Sequence, residues 1–425
     1  MKTSARLESK PRLHSSPSAL AVALSLVLGA GLISGCGEQL TEEFPDMGSE
    51  SGAPTQRNFA YLINNYRQAK GTPTPWAGYW WPYLSNGIAN GSYGGGKSPA
   101  GKYDAARGLR GNPTQTWELK EHGAKVPKVE GWWGHCNGWS AAAALFAEPR
   151  EDKVSGGIVF TVADQKALLS EAAMEVNADF FGERTDPWDH TPWKVSDTVP
   201  NQFFLVLTNY LGRKNHPVLI DRYTYGQVWN QPMVAYRFDP PKREDYLGPD
   251  PQAPGVHRMM VTATIWWASD AVAPATLTDP FEWKETLHFD ERTLRAELWL
   301  DGPVVFGADG KVASSGNLIV TRHPQNPDRA VGGAWRTGEN SDAWPDYMWV
   351  PHSVFTRDSD APINDPYANP FVDIRWLTTY MLKGQTDPSA TPQPVDTAPE
   401  PEPTRTATPT PTSVPTAGPI PTPSG

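Results

Sequence analysis

The chain has 425 residues, 39% hydrophobic and 11% aromatic, enough to build a sizeable core, and a formal net charge of −10. That acidic balance, with no basic stretch interleaved with aromatic residues, argues against a nucleic-acid partner. The composition is that of an exported globular protein with polar tails.

Lys2, Arg6, Lys10 and Arg12 precede an apolar run from Ala19 to Ile33, which ends in Ile33-Ser34-Gly35-Cys36. The run is shorter than the about 20 residues of a membrane span. A basic region, an apolar run and small residues before a cysteine resemble a bacterial lipoprotein signal, cut before a cysteine that takes a diacylglycerol. Residues 1–35 are therefore expected to be a signal peptide, Cys36 the lipidated residue and residues 36–56 an acidic tether. The protein is expected to be exported and lipid-anchored to the bacterial cell envelope, at the outer membrane. With Cys36 lipidated, Cys136 has no partner for an intrachain disulfide.

Residues 57–385 form the expected domain. Across Gln56 to Lys70, Phe59, Leu62, Ile63 and Tyr66 recur at helical spacing and predict an amphipathic helix. The aromatic, glycine-rich stretch from Trp76 to Gly96 reads as loop. A Gly/Trp-rich turn then runs through Gly134-His135-Cys136-Asn137-Gly138-Trp139-Ser140 into an alanine run, predicting a helix with Cys136 at or beside its N-terminus. A second helical pattern covers Ala163 to Asn177. After Pro200 the signal changes to strand. Phe203 to Leu207 and Pro217 to Asp221 are short apolar runs joined by Leu211 to Asn215, a predicted hairpin. Further strands are expected at Met259 to Trp267, Leu294 to Leu300 and Leu318 to Thr321. Helices first and an antiparallel sheet afterwards is the α+β class. Residues 386–425 are rich in proline and threonine, cannot bury a core, and are expected to be disordered.

At a helix N-terminus, unpaired backbone N–H groups and the helix dipole favour negative charge. A thiol held there ionises more readily, and the same N–H groups can stabilise an oxyanion. The competing reading of Cys136 is a buried structural cysteine.

Several islands then resemble the transglutaminase elicitor family. They are Tyr79-Trp80-Trp81-Pro82-Tyr83 with Asn86-Gly87-Ile88, Ser98-Pro99-Ala100-Gly101-Lys102-Tyr103-Asp104, the Cys136 segment, Asp221 followed by Val228-Trp229-Asn230-Gln231-Pro232, and Pro345-Asp346-Tyr347-Met348-Trp349-Val350-Pro351. The resemblance implies a fold related to papain-like cysteine proteases, with a helical part carrying the cysteine ahead of the sheet. It also implies acyl transfer from a protein glutamine to a primary amine. The Trp229 segment reads as a packed aromatic turn outside the chemistry.

Such chemistry needs a base for the thiol and a group to orient that base. In the papain-like arrangement Asp221, ending the second hairpin strand, fits the orienting role, with a strand-end turn residue as the alternative. The first strand holds Phe204 where a histidine is expected. Of the nine histidines, His190, in the loop leading to the hairpin, ranks above His216. His135 is expected to point away from Cys136, and His122, His257, His288, His323 and His352 have no local support. No paired metal-ligand spacing and no phosphate-cradling loop is found, so neither metal nor cofactor is expected. The leading expectation is a protein-glutamine γ-glutamyltransferase with a protein glutamine donor and an amine acceptor. The alternatives are a cysteine peptidase or deamidase on the same scaffold, and a non-catalytic envelope-binding protein.

Overall fold

The computed structural model describes residues 55–92, 96–182, 197–223, 227–323, 326–336, 344–355 and 367–382. Cys36, the tether up to residue 54, the proline-rich tail and His190 lie outside them, while Gln56, expected in the tether, is buried with its N–H donating to Asn209 Oδ1. Among the described residues no helix is long and apolar enough to cross a membrane.

In chain order the elements are α1 (Phe59–Asn65), β1 (Gln68–Lys70), α2 (Pro99–Arg107), α3 (Pro113–Glu121) and α4 (Cys136–Leu145). A small hairpin, β2 (Lys153–Ser155) and β3 (Ile158–Phe160), leads to α5 (Val162–Ala172) and β4 (Val176–Phe181). Next come α6 (Pro200–Val206), which runs into a π-helical turn (Leu207–Arg213), then β5 (Leu219–Asp221), β6 (Asn230–Phe238) and β7 (Tyr246–Pro249). The long pair β8 (His257–Ala268) and β9 (Phe289–Leu300) follows. Two further hairpins, β10 (Val305–Phe306) with β11 (Val312–Ser314) and β12 (Thr321–His323) with β13 (Asn326–Val331), precede β14 (Ala334–Trp335), β15 (Met348–Val354) and α7 (Ile374–Tyr380).

Nine strands form one antiparallel sheet in the order β14-β9-β8-β6-β5-β15-β4, with β1 also pairing β6 and β7 pairing β8. Its side chains alternate between two apolar layers, as a pleated strand requires. Met233, Tyr236 and Phe238 of β6 and Met259, Val261, Ala263 and Ile265 of β8 pack in one layer with Phe59, Phe203 and Phe204. Val234, Trp266, Ala268, Leu219 and Trp349 point into the other, with Trp139, Ala141, Ala142, Leu168 and Leu169 of α4 and α5. The Cys136 helix and the Phe204 helix thus lie on opposite faces of the sheet.

Local signals account for most helix ends. Ser98 caps α2 by accepting from the Gly101 N–H, Pro99 opens it, and Gly108 closes it in the left-handed conformation at φ +64°. Thr161 and Asp164 form a capping box at the start of α5. Both predicted helices are shorter than their patterns. α1 stops at Asn65 because Gln68–Lys70 pairs with β6, and α5 stops at Ala172 because Val176–Phe181 pairs with β15.

The expected hairpin over Phe203–Asp221 is corrected. Only Leu219–Asp221 is a strand, while Pro200–Arg213 is helical. Pro200 stands in the first helical turn, and Gln202 accepts the Val199 N–H. A short apolar run buried on every side has no period to separate strand from helix. Strands at 257–268 and 289–300 match the expectation, and the expected Leu318 to Thr321 strand reduces to a bridge at Leu318 followed by β12.

Phe204 is fully buried, its ring 5.7 Å from Phe59 and 4.5 Å from Phe238, so it occupies no catalytic edge. Phe204→His is expected to destabilise the fold by about 3 kcal/mol through lost packing and an unsatisfied imidazole. It should not speed alkylation of Cys136. Urea denaturation checks the first outcome; an unchanged midpoint would contradict this packing.

Candidate active site and an adjoining buried cluster

α4 is built to lie deep. Its residues from Gly138 to Ala144 are buried, and a Cβ on Gly138 would come within 2.1 Å of the Ser170 carbonyl of α5. Small side chains therefore let the helix sit directly between α5 and the sheet. The turn before it is equally tight, because a Cβ on Gly134 would lie 2.5 Å from the Trp80 carbonyl. The His135 N–H donates to that same carbonyl at 2.6 Å. His135 occupies the cap position without a side-chain cap, and Cys136 is the first helical residue. The expected placement of the thiol at a helix N-terminus is thus met. The N–H groups of the first turn have no intrahelical acceptor and point toward the thiol end.

Cys136 is 5% exposed, and its Sγ donates to the Val228 carbonyl at 3.7 Å. The N–H of that same peptide, contributed by Trp229, donates to Asp221 Oδ1 at 2.9 Å. Cys136 and buried Asp221 therefore meet the same stretch of chain, 228–229, from different sides. The first carbonyl of the Val-Trp-Asn-Gln-Pro segment thus touches the thiol, a contact that the sequence reading of a packed aromatic turn did not include. Trp80 and Trp229, both half-buried, meet edge to face at 5.7 Å beside it. The last island joins here as well. Asp221 N–H donates to the Tyr347 carbonyl, Asp346 N–H donates to the Asp221 carbonyl, and Trp349 Nε1 donates to Asn230 Oδ1.

His216, His352, His257 and His288 each contact other groups. His216 donates to the Pro351 carbonyl at 2.8 Å, four residues along from Tyr347 and so about 13 Å away at about 3.3 Å per residue. His352 contacts Asp179, His257 contacts Tyr246, and His288 contacts Asp279. The described residues that flank the segment carrying His190 meet each other. Thr198 Oγ1 donates to the Phe181 carbonyl and Thr198 N–H to the Asp346 carbonyl, so the chain leaves and returns beside Asp221.

On the other side of α4's first turn lies a group that sequence reasoning missed. His135 Nε2 is 2.6 Å from Glu171 Oε2 and 3.0 Å from Glu118 Oε1, pointing away from Cys136 as expected. His122 Nδ1 is 3.4 Å from Glu118 Oε2 and 3.5 Å from Glu171 Oε2. None of the four is more than 2% exposed. Burial disfavours charge on both rings, but the two carboxylates outweigh it, pushing His135 up to about 10 and His122 to about 9. Burial would likewise raise Glu118, but the two rings hold it well below the ordinary carboxylate range. Tyr83 stacks on His122 at 4.5 Å, and the Ile88 N–H donates to Glu118 Oε1. Gly87, at φ +48°, must lack a side chain, because a Cβ would lie 2.4 Å from Glu118 Oε1 and 2.7 Å from His135 Cε1. Four donor side chains thus converge where the sequence showed no paired ligand spacing. The one local signal was the i, i+4 spacing of Glu118, in the last turn of α3, and His122, the residue that caps its end.

Comparison with known proteins agrees with the islands. Residues 115–245, which include Cys136, Asp221, the Trp229 segment and all four cluster residues, match the family described as Transglutaminase elicitor. The fold is similar to the crystal structure of the GP42 transglutaminase from Phytophthora sojae, at 18% sequence identity and a TM-score of 0.55, covering 81% of this chain and 98% of that one. No curated protein sequence matches.

Asp221→Ala leaves the Trp229 N–H without its acceptor and is expected to cost about 1–3 kcal/mol. Asp221→Asn keeps an acceptor oxygen and should retain most of that stability. Thermal unfolding of the two variants checks the order.

Proposed function

We propose that this chain, whose residues 115–245 match the transglutaminase elicitor family, is a protein-glutamine γ-glutamyltransferase that works through a Cys136 thioester. The observation that carries the reading is a single cysteine at the first position of α4, its sulfur against the Val228 carbonyl, within the matched segment. Cys136 Sγ attacks the side-chain carboxamide carbon of a protein glutamine. The first-turn N–H groups of α4 stabilise the oxyanion. The C–N bond breaks, and ammonia leaves with the proton taken from the thiol. A primary amine then attacks the thioester carbon, the C–S bond breaks, and the amine's proton returns to the sulfur.

His190 is the base in this proposal, and Asp221 orients it. The anchoring of Phe181 and Thr198 beside Asp346 and Asp221 supports that choice over His216. Trp80 and Trp229 limit water at the thioester, which favours amine over hydrolysis. The enzyme acts at the cell surface, held there by lipid on Cys36.

Incubation with a glutamine donor peptide and a labelled primary amine tests the activity. Wild type should incorporate label, and Cys136→Ser, nearly isosteric, should abolish incorporation while keeping the thermal midpoint. His190→Ala is expected to slow incorporation by about 10²–10⁴-fold. Ammonia release or peptide cleavage without label would favour the hydrolytic scaffold reading. A wild type inert in all three assays would leave an envelope-binding protein. Fractionation of cells carrying Cys36→Ser checks the anchor, which predicts loss of the protein from the membrane fraction.

A further inference from the structure

The cluster behind α4 has a geometry that hydrogen bonds alone do not explain. The Trp81 carbonyl, 3.1 Å from His135 Nδ1, can only accept, so Nδ1 carries a proton and donates. That leaves Nε2 facing Glu171 Oε2 and Glu118 Oε1 at 2.6 and 3.0 Å, yet it makes a hydrogen bond to neither. The oxygens flank the ring nitrogen instead of lying along its N–H direction. Glu118 Oε2 and Glu171 Oε2 are also buried without a hydrogen bond. The candidate ligand atoms of Glu118, His122, His135 and Glu171 all lie within 4.8 Å of one another.

We infer that Glu118, His122, His135 and Glu171 bind one divalent first-row transition ion, with zinc the best match to their chemistry. Two imidazoles and two carboxylates suit zinc, whereas calcium and magnesium take oxygen ligands. A tetrahedral ion with bonds of about 2.0–2.1 Å spaces its donors about 3.3 Å apart. The His122 contacts at 3.4 and 3.5 Å already have that spacing. The His135 contacts need to open by under about 1 Å to reach it. The surroundings follow the pattern of outer-shell support for a metal. The His135 ring is oriented by Trp81, Glu118 Oε1 accepts from Ile88 N–H, and Glu171 Oε1 accepts from Asn369 N–H. Two carboxylates and one divalent cation sum to zero charge, which is what a fully buried site requires. Four protein donors leave no open position, so the ion is structural. It ties the residue before Cys136 to α3 and α5, and thereby holds the N-terminus of α4 in place.

The inference stands on the cluster and not on the acyl-transfer reading, and its test reads metal and stability, so either can fail alone. The full chain is purified without chelator, supplied with zinc, dialysed, and measured by elemental analysis and thermal unfolding. One zinc per chain should survive dialysis. Its removal by a strong chelator should lower the thermal midpoint by several degrees, reversed by zinc or cobalt and not by calcium or magnesium. The cobalt form should show the intense visible bands of a tetrahedral site. His122→Ala and Glu118→Gln should lose the stoichiometric ion. Should either variant fail to fold, the wild-type measurements decide. Wild type with no retained metal, or with zinc whose removal leaves the midpoint unchanged, would overturn the inference and assign the cluster's neutrality to protons on the two rings.

Discussion

The position of α4 is the constraint from which the site follows. A helix of alanines, with glycine where it crosses α5, can approach both α5 and the sheet more closely than a helix of large side chains. Because the helix has no freedom to slide, its first turn is placed to within the packing tolerance of the core. The thiol, the N–H groups of that turn and the Val228 carbonyl are therefore brought together by burial far from the sulfur itself.

The turn that enters α4 is held in two independent ways. Its backbone is bonded to Trp80, and the His135 ring is locked by the Trp81 carbonyl and two carboxylates. Carboxylates with no exposure are stable only where their charge is matched, and removing one member of such a set strands the others. Gly87 bears on the same point, since any side chain there would intrude on Glu118 and His135. Polar residues behind the helix thus do the work that a capping side chain would ordinarily do in front of it.

The two faces of the sheet carry different layers. One is apolar and holds Phe59, Phe204 and Phe238. The other carries α4, and at its edge β5 and β6 pair next to the segment 228–229, whose carbonyl meets the thiol and whose N–H meets Asp221. The sequence islands that resembled the transglutaminase elicitor family meet there. Trp80 and Trp81 receive His135, Ile88 bonds Glu118, Asp221 holds Trp229, and Asp346 and Trp349 bond Asp221 and Asn230. Ser98 to Asp104 acts one step further out, where Asp104 accepts from the first N–H groups of α3 and so sets the helix that bears Glu118 and is capped by His122.

The sequence by itself determined the mixed helix and antiparallel sheet, the long strands at 257–268 and 289–300, and the placement of Cys136 at a helix start. Each is written in a local pattern: alternation over many residues, capping residues, or a glycine turn running into alanines. Tertiary structure alone decided that Pro200–Arg213 is helical, because an apolar run buried on all sides carries no period, and its choice depends on what Phe59 and Phe238 leave open to it. It alone assembled Glu118, His122, His135 and Glu171, whose elements are adjacent only after α3, α4 and α5 have packed. It also set the Val228 carbonyl on the thiol, a contact across 92 residues that rests on the pairing of β5 with β6 and on no spacing within the chain.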